Sequence, residues 1–514
     1  MVKGVAGGKE WLGLAVLVLP VLLVSVTVTV LYFALPFLSA DLAPTGPQLL
    51  WIVDVYAFLL AGLLVAMGAL GDRIGRRRLL LAGAAVFGVT SVAAAYAPSA
   101  ELLIAARALQ GAAAASLMPP TLALIRDMFR DPRQRRTAVA LWAASFAGGS
   151  VLGPIVGGWL LERFWWGSVF LISVPVMVLL LVLGPVLLPE YRAPASGGFD
   201  LLGAALSLAA VLPVVYGVKQ FATGGPGPVA VLAVAAGLAA GAVFLRRQRG
   251  LADPMLDPRL FADRGFTMPL VTSTLAVFAL VGLFYFVAQY LQLVLGLRPL
   301  VAGLLTLPAA GMALVGSLLA AGISRRVRPG YVMGAGMALA AAGFLVMSTI
   351  DAGSDRWLLV AGLLLPGAGI GAVQALASGM IVEAAPPERA GSASAVLEAA
   401  TELGGALGVA ILGSVGLAVY RGRFAAATPE GLPPDGSGPA GESLGGAAGE
   451  AARLPEQAAA ELLDVARTAF TGGMQLAALL CAALMATAAV SVAILLRTVR
   501  ADPGGSTPRR LRQR

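Results

Sequence analysis

Residues 48–70 of this 514-residue chain read QLLWIVDVYAFLLAGLLVAMGAL, and Asp54 is the one ionisable side chain in the stretch. A helix of about 20 apolar residues, rising ~1.5 Å per residue, is long enough to cross a hydrocarbon core of about 30 Å. The stretch therefore predicts a membrane-spanning helix. A carboxylate inside such a helix is costly and points to a function.

The composition of the whole chain agrees with a membrane protein. It is 59% hydrophobic and 12% charged, whereas ordinary globular proteins carry about 25% charged residues. The excess of Lys and Arg (36, against 27 Asp and Glu) lies in short connections between apolar runs, which indicates membrane topology rather than nucleic-acid binding. The chain has no histidine, so proton chemistry near neutral pH has to rest on carboxylates in an unusual environment.

Apolar runs predict fourteen spanning helices, the first of them too long for a cleaved signal peptide. They are placed at about 11–36, 48–70, 79–97, 101–126, 137–161, 166–188, 200–218, 228–246, 266–295, 300–323, 331–349, 356–382, 390–419 and 470–497. Clusters of arginine occupy alternate connections and the C-terminal tail, which predicts both termini in the cytoplasm and a place in the cell membrane. The polar segment 421–469 is then extracellular, with one or two surface helices.

The order of the helices predicts a division into two halves. The loop GDRIGRRRLL after the second helix has a counterpart, SRRVRPGYVM, after the tenth. Repeated halves around a central site are common in transporters. We therefore expect an all-α membrane fold with six-helix halves at 1–190 and 251–514, and two inserted helices within 191–250.

Three motifs resemble those of the major facilitator superfamily. GALGDRIGRRRLL (68–80) resembles its cytoplasmic signature, LIAARALQGAAAA (103–115) its fourth-helix motif, and GGSVLGPIVGGWL (148–160) its antiporter motif. The match looks closest to fourteen-span drug:proton antiporters of the quaternary-ammonium and multidrug type. The resemblance implies gating roles for Gly68, Gly71, Asp72, Arg73, Gly75 and Arg76, and close helix packing at Gly149, Gly153, Pro154, Gly157 and Gly158. The chain departs from the family at Thr27, where an acid is usual.

Two glutamates in SASAVLEAATELGGALG (392–408) are the leading candidates for proton coupling. Glu398 and Glu402 are four residues apart, so they share a helical face about 6 Å apart, at roughly 12 and 18 Å from the predicted helix start. Burial and mutual repulsion both favour the protonated form of such acids. The alternative is that both are neutral hydrogen-bond donors in a helix interface.

Asp54 and Arg107 complete the predicted coupling site. Asp54 either is hydrated from outside near Trp51 and Tyr56, or faces the central cavity, where it pairs with Arg107 or attracts a cationic substrate. Arg107 remains charged and needs a partner or water.

Aromatic and amide side chains are candidates for the wall of a cavity that binds lipophilic cations. They are Tyr32, Trp51, Tyr56, Trp142, Phe146, Phe286, Gln289 and Gln292. We expect a monomeric efflux pump for hydrophobic, cationic drugs or antibiotics, driven by the proton gradient, with no cofactor and no metal. The alternatives are a proton-coupled importer of the same fold and a transporter-like membrane sensor. Neither an enzyme constellation nor a phosphate-binding loop is visible.

Overall fold

The structure is a computed structural model that describes residues 6–190, 200–224, 227–251, 260–385, 390–427 and 438–496. These residues form helices and connecting turns, and no strand occurs among them. The N-terminal half consists of α1 (Gly8–Leu42), α2 (Gly46–Ile74), α3 (Arg76–Ala95), α4 (Ala100–Ala115), α5 (Met118–Met128), α6 (Pro132–Arg163), α7 (Ser168–Leu171) and α8 (Ser173–Leu187).

Two inserted helices and the C-terminal half follow. The inserted pair is α9 (Leu201–Gly224) and α10 (Pro228–Gly250). The C-terminal half consists of α11 (Arg264–Gln289), which continues into a π-helical turn (Tyr290–Val294), α12 (Pro299–Ile323), α13 (Pro329–Met347), α14 (Arg356–Ala384), α15 (Ala390–Ala426), α16 (Pro439–Glu442), α17 (Leu444–Ala451) and α18 (Glu456–Leu495).

Within the described residues, fourteen helical segments are long and apolar enough to cross a membrane, which confirms the predicted all-α fold. The fourth span is broken between α4 and α5, at Ser116 and Leu117. Pro119 and Pro120 follow this break because proline is tolerated in the first turn of a helix but not in its interior.

The segment 421–469 differs from the expected surface loop. Its helix-like second part forms the first turns of α18, which begins at Glu456 and runs on into the last span. Before it, α16 and α17 form a short hairpin, whereas residues 428–437 lie outside the described residues, as do the tail arginines. We call the side of the bundle that carries α16–α17 the hairpin end. The opposite side, with Arg76 and Arg126, is the arginine end.

The two halves meet along two seams. α2 packs against α15, and α6 packs against α12. At the hairpin end the backbones approach closely, because a Cβ atom placed on Gly158 would lie 2.5 Å from Leu300 Cα, and one on Gly303 would lie 2.4 Å from Pro154 O. Glu162 at the end of α6 accepts hydrogen bonds from Arg298 Nη2 (2.5 Å) and Leu300 N (3.2 Å). The α6–α12 seam is therefore closed at this end.

The hairpin spans the other seam at the same end. Glu442 Oε2 accepts a 2.8 Å hydrogen bond from Gly46 N at the start of α2 and also pairs with Arg421 on α15. Tyr420 Oη donates to Ala440 O at 2.5 Å. Since α17 also packs against α1, the hairpin contacts both halves.

Asp200 joins the two inserted helices near the arginine end. It caps the start of α9 through Gly203 N (2.8 Å) and accepts hydrogen bonds from Arg247 Nε (3.1 Å) and Nη2 (2.8 Å) on α10. The hydrogen bonds from Arg247 hold the pKa of the Asp200 carboxyl below its usual range.

A lowered carboxyl pKa in the folded state predicts an acid-dependent loss of stability. The contribution of Asp200 is present above the ordinary aspartate pKa of about 3.9 and is lost as the pH falls through the lowered value. We expect Asp200→Asn to flatten the fall in melting temperature below roughly pH 4, measured by thermal unfolding in detergent. Arg247→Gln should act in the same way and exposed Arg249→Gln should not. An unchanged acid limb in Asp200→Asn would contradict this.

Candidate functional site

The two glutamates of α15 lie in the middle of a helix that forms one seam. Glu398 and Glu402 are both half-buried and interact electrostatically with each other. In the part of the chain that the structure describes, no hydrogen bond or ion pair is made by either carboxyl group. Unpaired acids at this depth are expected to face a polar cavity rather than lipid, which favours the coupling role over neutral donors in a sealed interface.

Tyrosines of the N-terminal half lie opposite Glu402. Tyr32 on α1 and Tyr56 on α2 are buried and close enough to Glu402 to interact with it electrostatically. The ring of Tyr32 also contacts that of Phe284 on α11, with centroids 5.6 Å apart. The Tyr56 hydroxyl is buried with no hydrogen-bond partner among the described residues, so it is available to a carboxyl group, a water molecule or a substrate.

Arg107 is held by neutral groups. Its side chain, 1% exposed, donates to Ile52 O (3.2 Å) and to Gln110 Oε1 (2.8 Å). The guanidinium carbon lies 4.4 Å from the centroid of the Tyr56 ring. Gln110 in turn donates to Ser91 Oγ at 2.8 Å. Arg107 thus links α4 to α2 by a hydrogen bond and a cation–π contact. Gln110 extends this network from α4 to α3.

Asp54 pairs with Lys219 of the inserted helix α9, so the pairing with Arg107, one of the alternatives predicted for Asp54, is wrong. Lys219 Nζ lies 2.9 Å from each carboxyl oxygen of Asp54, and the two side chains are 3% and 0% exposed. Nζ also lies 3.9 Å from the centroid of the Trp51 ring. Asp54 is therefore neither hydrated from outside nor open to the central cavity in this state.

The sequence reading missed Lys219 because it ended the seventh span at 218. The structure continues α9 to Gly224, and this places the lysine inside the span. A lysine near the end of an apolar run is ordinarily assigned to the interface, where its long side chain reaches water. The signal that could have found it was the unpaired acid, Asp54, at a similar depth in α2.

The signature motif (68–80) forms a network within the N-terminal half. Arg76 donates from Nε to Asp72 Oδ1 (2.8 Å) and from Nη1 to Asp127 Oδ2 (2.7 Å), tying α3 to α2 and α5. Gly75 has φ 111°, a left-handed conformation that favours glycine. Gly68 and Gly71 lie against Pro119 and Pro120. Arg73 is exposed, and among the described residues neither it nor Asp72 bonds to the C-terminal half.

The antiporter motif contacts two different helices. Gly149, Gly153 and Gly157 recur every fourth residue and face α1, where an added Cβ would meet Leu22 O at 2.4 Å or Thr29 Oγ1 at 1.9 Å. Pro154 and Gly158 lie on the adjacent face, against α12 of the other half. The motif thus allows close packing both within the N-terminal half and across a seam.

The structure does not bring all the predicted cavity residues together. Trp142 donates to Thr121 Oγ1 at 3.0 Å, and it packs with Phe146 on the apolar cluster of the N-terminal half. Phe286 and Gln289 line a small cavity near the hairpin end, together with Tyr420 and Glu442. Gln292 lies in the π-helical turn, and Trp51 lies under Lys219. Tyr32 and Tyr56 are the aromatic candidates near Glu402.

Comparison with known sequences gives relatives over almost the whole chain. The multidrug efflux pump LfrA of Mycolicibacterium smegmatis is 47% identical, over 95% of this chain and 97% of its own. The methyl viologen resistance protein SmvA of Salmonella typhimurium is 37% identical, over 90% and 93%. The tetracenomycin C resistance and export protein of Streptomyces glaucescens is 32% identical, over 98% and 94%.

Solved structures and a family model agree with these relatives. A bacterial homologue of the human lysosomal transporter Spinster has the same fold, with a TM-score of 0.66 at 18% identity, covering 97% of this chain and 100% of that one. A peptide transporter, POT, reaches 0.60 at 16% identity, covering 93% and 95%. The Major Facilitator Superfamily model matches residues 17–409. The fourteen-span chain, with its signature and antiporter motifs, therefore belongs to the major facilitator superfamily.

Proposed function

We propose that this transporter exports small lipophilic cations, among them drugs or antibiotics, in exchange for protons. The relatives support drug export, since LfrA is a multidrug efflux pump and SmvA confers methyl viologen resistance. Methyl viologen is an organic dication, so the name of SmvA supports a cationic substrate. The proposal needs no second copy, because both walls of the site come from one chain. It needs no cofactor, because the proton gradient supplies the energy.

The observation that carries the proposal is the pair Glu398 and Glu402. Both acids are half-buried and unpaired among the described residues, one helical turn apart beside the α2–α15 seam. An uncompensated acid in the membrane interior tends to hold a proton. It releases that proton when a cation takes its place, and this competition is what exchange requires. Tyr32 and Tyr56 of the opposite half lie near Glu402, and aromatic side chains are suitable neighbours for a lipophilic cation.

The proposed direction of transport rests on the positive charge at one end of the bundle and on the closure of the other end. The arginine end would lie in the cytoplasm of a cell-membrane protein, together with both termini, because cytoplasmic loops carry the excess of Lys and Arg. The state described here is closed at the hairpin end, by Gly158 against Leu300 and by the Glu162–Arg298 pair. This would be the state that loads substrate from the cytoplasm before the seams open outward.

Two acids allow two protons per monovalent cation, so that the membrane voltage contributes. One net charge crossing about 180 mV supplies about 4 kcal/mol, at ~2.3 kcal/mol per 100 mV. That is enough for a roughly thousandfold substrate gradient. An exchange of one proton for one monovalent cation would be electroneutral and would use the pH gradient alone.

Transport in proteoliposomes tests the proposal. Purified protein is reconstituted with an imposed pH gradient, and the movement of a lipophilic cationic dye and of methyl viologen is followed with and without a proton ionophore. We expect both substrates to move against the proton flux and the ionophore to stop them. Flux in the same direction as protons would indicate an importer, and binding without flux a sensor; either result would overturn the proposal.

A further inference from the structure

The inserted helices are attached at the α2–α15 seam between the two halves. α10 packs mainly against α9, while α9 packs against α2 of the N-terminal half and against α15 of the C-terminal half. If the halves rock against each other during transport, as proposed above, α9 cannot keep both sets of contacts unchanged. One of the two surfaces has to slide.

Besides apolar packing around Phe58, the contacts between α9 and α2 include a buried ion pair and a hydrogen bond. Lys219 Nζ lies 2.9 Å from both carboxyl oxygens of Asp54, and both side chains are almost fully buried. One side of the ammonium group is covered by the Trp51 ring at 3.9 Å. Three helical turns away, Ser207 Oγ donates a 3.0 Å hydrogen bond to Gly62 O. Separating α9 from α2 would break this buried ion pair in a medium without water to solvate the charges.

The packing of α9 on α15 is apolar. Val215 of α9 lies in a small cluster with Phe58 of α2 and with Ala406 and Ala410 of α15, all buried. Leu403 and Leu407 pack around this cluster. Contacts among aliphatic side chains have no preferred direction. Sliding one such surface along another therefore costs much less free energy than breaking a buried ion pair.

We propose that Lys219 is a positioning residue that fastens the inserted helices α9–α10 to the N-terminal half through Asp54, so that α15 slides along α9 while α9 moves with α2. Asp54 then serves as the fixed partner of Lys219 and takes no proton and no substrate cation during the cycle. This goes beyond the proposed function, and it depends on that function only for the sliding.

Charge variants of the pair test the anchoring. Lys219→Met and Asp54→Asn should each lower the melting temperature by roughly 5 °C or more and reduce dye efflux at least about tenfold, since each removes one member of a buried ion pair. The neutral pair D54N/K219M and the exchanged pair D54K/K219D remove that defect. We expect either double variant to recover most of the stability, at least about a third of the wild-type efflux, and the wild-type dependence on pH.

The two readouts separate the possible outcomes. Double variants that regain stability but not efflux would show that Asp54 itself takes part in proton or substrate binding, and would overturn the proposal. Single variants with wild-type stability and efflux would overturn the anchoring as well. The melting temperatures do not depend on transport, so they test the anchor even if the wild-type protein shows no proton-driven flux.

Cross-linking tests which surface slides. In a Cys481→Ser background, one cysteine pair joins α9 to α2 (Gly62→Cys with Leu208→Cys), and another joins α9 to α15 (Val215→Cys with Ala410→Cys). An α9–α2 disulfide should leave efflux within about twofold of the reduced protein. An α9–α15 disulfide should stop efflux until a reductant is added. The opposite pattern, or a block by both disulfides, would overturn the sliding surface assigned here.

Discussion

Glu402→Gln is expected to abolish efflux driven by a pH gradient, with a loss of at least about a hundredfold, the lower range for a positioned proton-transfer group. Glutamine keeps the size and the hydrogen-bonding oxygen of the side chain but cannot exchange a proton. Glu402 is the acid that interacts electrostatically with Tyr32 and Tyr56 of the other half. Glu398→Gln should reduce the same flux, because its carboxyl group lies one turn away and interacts with Glu402.

A matched control separates proton coupling from folding. Glu383→Gln changes an exposed glutamate on α14 and should leave efflux and stability unchanged. The melting temperature of Glu402→Gln should remain near the wild-type value, because glutamine keeps the size of the side chain. The measurement is the initial rate of dye efflux from proteoliposomes at several imposed pH differences. A Glu402→Gln protein with wild-type acid-dependent efflux would remove Glu402 from the mechanism.

The spans and the acidic pair could be predicted because each depends on local pattern alone. A run of about 20 apolar residues specifies a span wherever it packs. The four-residue spacing of Glu398 and Glu402 places them on one face of any helix. The predicted start of that helix, at 390, is the start of α15 in the structure.

The partners of the buried charges could not be predicted in this way. Asp54 and Lys219 are 165 residues apart, and their pairing depends on where the inserted helices pack, which periodicity does not encode. Arg107 lies one turn from its partner Gln110, yet its other contacts, Ile52 O and the Tyr56 ring, belong to α2. The cavity candidates failed to converge for the same reason, since Phe146 and Phe286 belong to different halves and different clusters.

The sequence of the antiporter motif predicts close helix packing, but the tertiary structure is needed to identify which helix each glycine contacts. From the sequence, its glycines predict close helix packing without naming the neighbour. In the structure, Gly149, Gly153 and Gly157 face α1 within one half, whereas Gly158 faces Leu300 across a seam. Of these four glycines, only Gly158 therefore lies at a contact that has to open and close if the halves alternate.

Gly158→Val is accordingly expected to prevent closure at the hairpin end. A Cβ atom there would lie 2.5 Å from Leu300 Cα and 2.7 Å from Pro299 O, and these backbone atoms cannot be displaced by a rotamer change. Overpacking of this kind costs about 1–3 kcal/mol, which shifts the two-state equilibrium toward the opposite state by roughly 5- to 150-fold. Efflux should fall by at least a similar factor, while the protein remains folded.

The same helix supplies the control, because a Cβ atom on Gly148 has no neighbouring atom within 4 Å. Gly148→Val should therefore leave efflux near the wild-type rate, although it adds the same side chain to α6. On the partner helix, Gly303→Val should reproduce the loss and Gly311→Val, also in open space, should not.

Labelling of Leu300→Cys by a membrane-impermeant maleimide measures directly how open the α6–α12 seam is at the hairpin end. This labelling should rise in Gly158→Val. Unchanged labelling together with full efflux in that variant would show that the α6–α12 seam stays closed throughout transport, so that the halves do not alternate about it.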